Sequence, residues 1–459
     1  MSDQFKDQGG FATSNPSRLF RFVSSRVISR ISRPSVLEKR RAKAERVRKS
    51  KDAPHTVEYF HQVEDGYSHL AIQTLDALRK RYDIEVVCHL VSGPKGKNSP
   101  EPDLLLKLSR YDSMLIAPEY GLDFPGGDGA PDSTCCELAT HILASLDEEQ
   151  FIIHGAAVST AMWRGDKPAL QQLAEELGSV TAVEAEQRVA AGDERIADLK
   201  HYSGAMFYYA DEWYWGVDRL YHLEARLGDI GALQQSGRDE LMPRPPIEAG
   251  PLRDNGTLTL EVYPSLRSPY TAISFDRAVK LANETRVNLV VRPVLPMVMR
   301  GVPATRQKGI YIFTDTAREA RYAGVPYGNF YDPIGEPARR GYSLYPWACE
   351  QGKGNALISA FLSCAFAQGV NTGTDKGLRK VVEQAGLDWS EARKHLGSTG
   401  WESILEENRL AMYEHGLWGV PSFRLIDANG QTRLALWGQD RLWLIARHIQ
   451  RLLAARDAA

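Results

Sequence analysis

The chain has little cysteine, and what it has is badly placed for cysteine chemistry. Five residues in 459, Cys88, Cys135, Cys136, Cys349 and Cys364, form no CxxC pair. That excludes a CxxC dithiol redox motif and the CxxC spacing of zinc ligands. Buried or incidental thiols are the simplest reading, with a catalytic thiol as the alternative. The adjacent Cys135 and Cys136 suit no disulfide, because neighbouring side chains in a helix or strand diverge. Long apolar runs are also absent: no stretch approaches the roughly 18 residues that span a bilayer. No basic start is followed by an apolar stretch and a small-residue cleavage site, so a cytoplasmic address is expected. Eleven histidines show no HExxH spacing. Gly93-Pro94-Lys95-Gly96-Lys97 has the composition of a phosphate loop without its spacing and reads as a solvated loop.

What remains is ordinary globular composition, 43% apolar and 25% charged, in a chain long enough for about two or three domains with full cores. The net charge of -2 is unevenly spread. Residues 1–54 carry fourteen Lys and Arg against five acids, which makes that arm +9 and the rest of the chain -11. Within the arm, Leu19, Val23, Val27 and Ile31 recur every four residues among arginines. This is the pattern of a basic amphipathic helix able to lie on an anionic membrane or on a partner, and residues 16–50 are its expected extent. The protein would then sit at the inner face of a membrane; the alternative is a solvated, disordered tail. Arg and Ser content also resembles an organelle transit peptide, against which Asp3 and Asp7 weigh. With no aromatic platforms interleaved among its basic residues beyond Phe20 and Phe22, no nucleic-acid partner is expected.

The segment Trp437-Gly438-Gln439-Asp440-Arg441-Leu442 has a near copy in Trp215-Gly216-Val217-Asp218-Arg219-Leu220. The regions they close also begin alike, EYFHQVEDGY at 58–67 and EVYPSLRSPY at 261–270, which aligns Asp65 with Ser268 and Gly66 with Pro269. Both openings read as a short strand followed by helical sequence, at 71–81 and 272–284. A tandem duplication of whole domains is the expectation, since the period is too long for solenoid units. The boundaries follow: a basic arm at 1–54, a first domain at 55–228, a linker rich in Pro and Gly at 229–256, and a second domain at 257–459. In the second, strands are expected at 257–263, 287–292, 422–426 and 432–436. Helices are expected within the insertion at 355–368, 376–385, 390–395 and 401–415, with a last one at 440–453. A β-α-β half followed by a β-β-α half is an α/β thioredoxin-type core with a helical insertion, twice over.

Five motifs in register carry a family resemblance: Ser268-Pro269-Tyr270, Arg292-Pro293, Lys308 with Asp315 and Arg318, Gly419-Val420-Pro421-Ser422-Phe423, and the segment from Trp437 to Leu442. Together they resemble the DsbA-like proteins of the 2-hydroxychromene-2-carboxylate isomerase and kappa-class glutathione transferase branch. The resemblance implies a glutathione-dependent isomerase or transferase acting on a small molecule with a conjugated carbonyl. Ser268 stands where an N-cap belongs, with Pro269 at the first helical position. A helix N-terminus stabilises anions, and the resemblance makes Ser268 the residue that holds the glutathione thiol as thiolate, where redox members carry a cysteine. By the same resemblance Val420-Pro421 is a cis-proline loop offering its backbone to glutathione. Asp440 receives the γ-glutamyl ammonium, with Gln439 assisting. Tyr270 and Arg441 are candidates for the substrate pocket.

Plainer readings stand beside each role. Ser268 can serve only as a helix cap, Val420-Pro421 as an ordinary turn, Asp440 as a cap for the last helix, Arg441 as the partner of a neighbouring acid, and Tyr270 as core. The first region departs from the pattern at the expected site: Asp65 replaces the serine, Gly66 the proline, and Gly204-Ala205-Met206-Phe207-Tyr208 the GVPSF loop, with Met206 opposite Pro421. A degenerate domain follows, unless Asp65, His61 or Tyr208 serves another site. A binding or scaffold protein, or a disulfide oxidoreductase, are the competing classes; metal, substrate identity and oligomeric state have no signature.

Overall fold

The computed structural model describes residues 15–457 except 128, 235–239 and 303. Asp3 and Asp7, weighed above against a transit peptide, lie outside the described residues. The chain divides into two compact units, residues 38–245 and residues 1–37 with 246–459.

In the first unit, strands β1 (Thr56–His61), β2 (Glu85–Leu90), β3 (Met206–Tyr209) and β4 (Glu212–Trp215) form a sheet in the order β2-β1-β3-β4. β1 runs parallel to β2 and antiparallel to β3. As one of the two inner strands it is buried from Val57 to His61, with Val57, Tyr59 and Phe60 fully so, as a strand covered on both faces requires. β3 and β4 join through Ala210 and Asp211, both at positive φ, the geometry that matches hairpin twist. Neither is glycine, so the turn needs outside support. Arg226 supplies it by donating to the Tyr209 carbonyl at 2.8 Å and the Ala210 carbonyl at 3.2 Å. Among the described residues, five α-helices from Pro102–Ile116 to Ala182–Asp198 are inserted between β2 and β3. Gly192 lets the last approach the sheet, since a Cβ there would lie 1.9 Å from the Leu90 carbonyl oxygen.

In the other unit β5 (Thr259–Tyr263), β6 (Asn288–Val291), β7 (Ser422–Ile426) and β8 (Thr432–Trp437) form a sheet ordered β6-β5-β7-β8, with the same parallel and antiparallel senses. The Pro269–Thr285 helix follows β5 and the Leu442–Asp457 helix follows β8, and Phe275, Tyr263, Leu425 and Trp443 are all buried. The insertion between β6 and β7 includes the expected helices near 355–368, 376–385 and 401–415. It adds Arg306–Tyr322, Glu336–Ser343 and Tyr345–Glu350.

Several boundaries move for local reasons. The helix expected at 71–81 is two, Gly66–Ile72 and Leu75–Arg81, and the first starts at the Asp65 cap, well before its apolar spacing would place it. The last helix opens at Leu442, because Gln439–Arg441 is a 3-10 turn. Residues 390–395 split into Trp389–Ala392 and a 3-10 turn.

The arm contains two helices, Arg18–Ile31 and Pro34–Ser50, so from residue 18 to 50 the disordered-tail reading gives way to helix. Among the described residues no helix is long and apolar enough to cross a membrane, and all five cysteines are unpaired.

Candidate functional site

The Pro269–Thr285 helix begins as its sequence dictates. Pro269 takes the first turn, where its missing N–H costs nothing, and the Ser268 hydroxyl accepts the Thr271 N–H at 3.2 Å. Only about 9% of Ser268 is exposed, and its hydroxyl also donates to the Val420 carbonyl at 3.2 Å. That bond joins the helix start to the loop before β7. The Val420–Pro421 peptide is cis, and the Pro421 carbonyl accepts the Gly438 N–H at 3.0 Å. Gly419 is confined by the Trp437 indole, whose Nε1 would lie 2.3 Å from a Cβ at that position. The glycine of the loop and the tryptophan after β8 are therefore fitted to one another.

Around this centre stand two residues for which no role was assigned from sequence, Trp418 and Lys308. Trp418 packs on Trp437 with ring centroids 5.4 Å apart, and the Lys308 ammonium lies 5.8 Å from the Trp418 ring. Burial pushes the Lys308 amine down to about 8. Its signal in the sequence was its place seven residues before Asp315, two helical turns on one face. Trp418 had no signal, because an aromatic residue before a glycine is ordinary.

The remaining expected residues fall into separate contacts. Tyr270 donates to Asp315 at 2.7 Å, and Arg318 holds the other oxygen of that carboxylate at 2.6 Å. This buried network fixes the first turn of the Pro269–Thr285 helix against the Arg306–Tyr322 helix. Gln439 donates its side-chain amide to Glu319 at 2.7 Å, while its Oε1 is buried with no hydrogen-bond partner among the described residues. Asp440 is the middle residue of the 3-10 turn and Gly438 its cap position, so Asp440 stands two residues before the last helix opens at Leu442. Arg441 is buried, donates to the Asp440 carbonyl at 3.2 Å and lies 3.8 Å from its carboxylate. On β5, Glu261 accepts from Arg292 at 2.7 Å, Tyr263 at 2.9 Å and Arg424 at 3.2 Å. Burial raises its carboxyl, but these donors outweigh it and hold the pKa below the usual range.

The first unit repeats the frame with other chemistry. Asp65 caps its helix by accepting the Ser68 N–H at 2.8 Å and the Ser68 hydroxyl at 3.0 Å, and burial pushes its carboxyl up. Tyr67 donates to Asp112 at 2.7 Å, the spacing of Tyr270 and Asp315 repeated. At that same offset Lys308 falls opposite Leu105, and Arg318 opposite Leu115. The loop register differs from the ungapped alignment. Phe60 pairs with Met206 as Tyr263 pairs with Ser422, and Gly216 donates to Ala205 as Gly438 does to Pro421. Ala205, not Met206, therefore occupies the proline's place.

The second unit thus carries a thioredoxin-type core, with a helix N-terminus facing a cis-proline loop. More narrowly, residues 259–450 match the DSBA-like thioredoxin domain and form one. Among solved structures, a 2-hydroxychromene-2-carboxylate isomerase is 20% identical at a TM-score of 0.37, with 44% of this chain and 99% of that chain covered. A probable DsbA oxidoreductase from Streptomyces coelicolor is 19% identical at 0.34, covering 42% and 89%. DsbA2 of Pseudomonas aeruginosa is 18% identical at 0.29, covering 43% and 90%. At these values none of the three bears on the reaction. No curated protein matches the chain.

Proposed function

We propose that the second unit is a glutathione-dependent isomerase or transferase for small molecules with a conjugated carbonyl, centred on Ser268. The observation that carries the reading is the Ser268 hydroxyl, which sits at the N-terminus of a 17-residue helix and 3.2 Å from the carbonyl that precedes Pro421. A thiolate placed there gains from the helix dipole and, with the Ser268 proton turned from the Val420 carbonyl toward the sulfur, from a hydroxyl donor. For a donor ligand, the orphaned Gln439 Oε1 and the carboxylate of the next residue, Asp440, are two acceptors suited to an ammonium. Ser268 would hold the thiol, the Val420 backbone the peptide, and Asp440 with Gln439 the γ-glutamyl end. Glutathione, when bound, would supply a sulfur nucleophile that adds reversibly to the conjugated carbonyl compound. Lys308, near neutrality and against Trp418, would provide a cation beside the developing anion when protonated. The disulfide oxidoreductase reading is disfavoured because the position is serine and no CxxC pair exists.

The first unit is best read as a degenerate copy of the second, by tandem duplication. The shared strand order, the paired caps Asp65 and Ser268, and the paired bonds Tyr67–Asp112 and Tyr270–Asp315 support this. A carboxylate at the cap would raise a neighbouring thiol's pKa, and Leu105 in place of Lys308 removes the cation.

Titration calorimetry of the full chain with glutathione tests the reading, followed by the ultraviolet absorbance of the bound thiolate against pH. Binding with a lowered thiol pKa is expected; an absence of heat and of any thiolate signal would overturn it.

A further inference from the structure

The Arg18–Ile31 helix rests on its own unit with its polar side inward. The Ser25 hydroxyl accepts the Asp332 N–H at 2.9 Å, and the Ser29 hydroxyl accepts the Phe330 N–H at 2.9 Å while donating to the Phe330 carbonyl at 3.1 Å. Arg21 donates to the Ile334 carbonyl at 2.9 Å. All three side chains are buried. A helix on a globular protein ordinarily buries its apolar stripe, and here that stripe points away. Leu19 is 73% exposed, Val23 51%, Val27 55% and Phe22 46%.

The charges on the helix itself are of one sign. The helix contains Arg18, Arg21, Arg26 and Arg30 and no acidic residue. Arg18, Arg26 and Arg30 are exposed, and the Arg26 guanidinium lies 5.2 Å from the centre of the Phe22 ring. We infer that this face is a docking surface for an anionic lipid bilayer, the helix lying in the headgroup plane with Leu19, Val23 and Val27 inserted and the arginines on lipid phosphates. Apolar residues on one side and arginines flanking them are what such binding requires. The serine bonds to residues 330–332 are what keep that side outward.

A second copy of the chain suits the face poorly. A two-fold contact would set the arginines of one copy against those of the other. Fourteen residues of helix also present only about 21 Å by 10 Å, far short of the roughly 800 Å² per partner of a stable interface. The inference does not depend on the glutathione reading.

The test is sedimentation of the full-length protein with vesicles of phosphatidylglycerol and phosphatidylcholine in equal parts, and with phosphatidylcholine alone. Binding to the first only, weakened by salt, is expected. Arg26→Gln with Arg30→Gln should lower the partition coefficient about 30-fold, and Leu19→Ser with Val23→Ser and Val27→Ser should abolish binding. These positions are exposed, so the melting temperature should hold; if the serine variant fails to fold, the glutamine pair decides alone. Wild type left in the supernatant with the anionic vesicles, or binding undiminished in the folded variants, overturns the proposal. A lipid-free dimer in sedimentation velocity that the serine variant dissociates would overturn it in favour of a second copy.

Discussion

Ser268 and Val420 are 152 residues apart in the chain, and the hydroxyl of the first donates to the carbonyl of the second at 3.2 Å. The same oxygen accepts the Thr271 N–H. One atom therefore caps a helix and fastens it to the cis-proline loop, and its loss should be felt in both places.

Ser268→Ala should lower stability by about 1 kcal/mol through the lost cap. On the proposed function it should also raise the pKa of bound glutathione while sparing most of the affinity. Thiolate absorbance against pH, with binding curves alongside, checks this; a thiol titration unchanged from wild type would reduce Ser268 to a cap.

Asp440→Asn should do the reverse. It removes a charge-assisted contact of about 1.5 to 3 kcal/mol, so affinity falls by one to two orders of magnitude while the thiol pKa stays. Calorimetry on both variants separates the two effects, and affinity equal to wild type in Asp440→Asn would remove Asp440 from the binding site.

If the first unit has lost its site, the full chain should bind one glutathione, and Asp65→Asn should leave that stoichiometry alone. Two equivalent sites per chain would restore the first unit as a second centre.

Lys308 is held at about 8 by burial, against 10.5 for a free lysine. Between these values the unfolded chain keeps a proton that the folded chain has released, so stability should rise with pH across that window. The rise should vanish in Lys308→Met; denaturant unfolding at a series of alkaline pH values would show an unchanged slope if burial of this amine is not the cause.

His61 and His69 are both buried, and burial lowers them to about 3 and about 4. The unfolded chain takes up protons near 6.5 while the folded chain does not, so stability should fall as the solution is acidified from about 6.5 toward 4. The loss is on the order of a few kcal/mol. His61→Phe should flatten the acid limb of the stability curve, and a curve superimposable on wild type would assign the loss elsewhere.

The Ser268 cap was legible because the pattern Ser-Pro before helical sequence has one local solution: a side-chain acceptor for an orphan N–H and a proline where no donor is needed. β7, expected at 422–426, appears as Ser422–Ile426, since its apolar run ends at Asp427 and the Asn429-Gly430 turn. Gln439 and Arg441 were legible as members of a repeated motif, but their partners were not. Glu319 lies 120 residues from Gln439, and nothing local pairs them.

The sequence by itself determined the four strands of the second unit, the Ser268 cap, and that Ser268, Pro421 and Lys308 have no counterparts in the first region. These follow from periodicity, capping and residue identity, all of which act within a few positions. Only the tertiary structure decided that Ala205 and not Met206 stands in the proline's place, because register is set by the pairing of β1 with β3. It also decided which side of the Arg18–Ile31 helix faces the protein. The spacing of Leu19, Val23 and Val27 defines a stripe, but a stripe has no inside until something packs against it, and here the backbone donors at Phe330 and Asp332 claimed the serines.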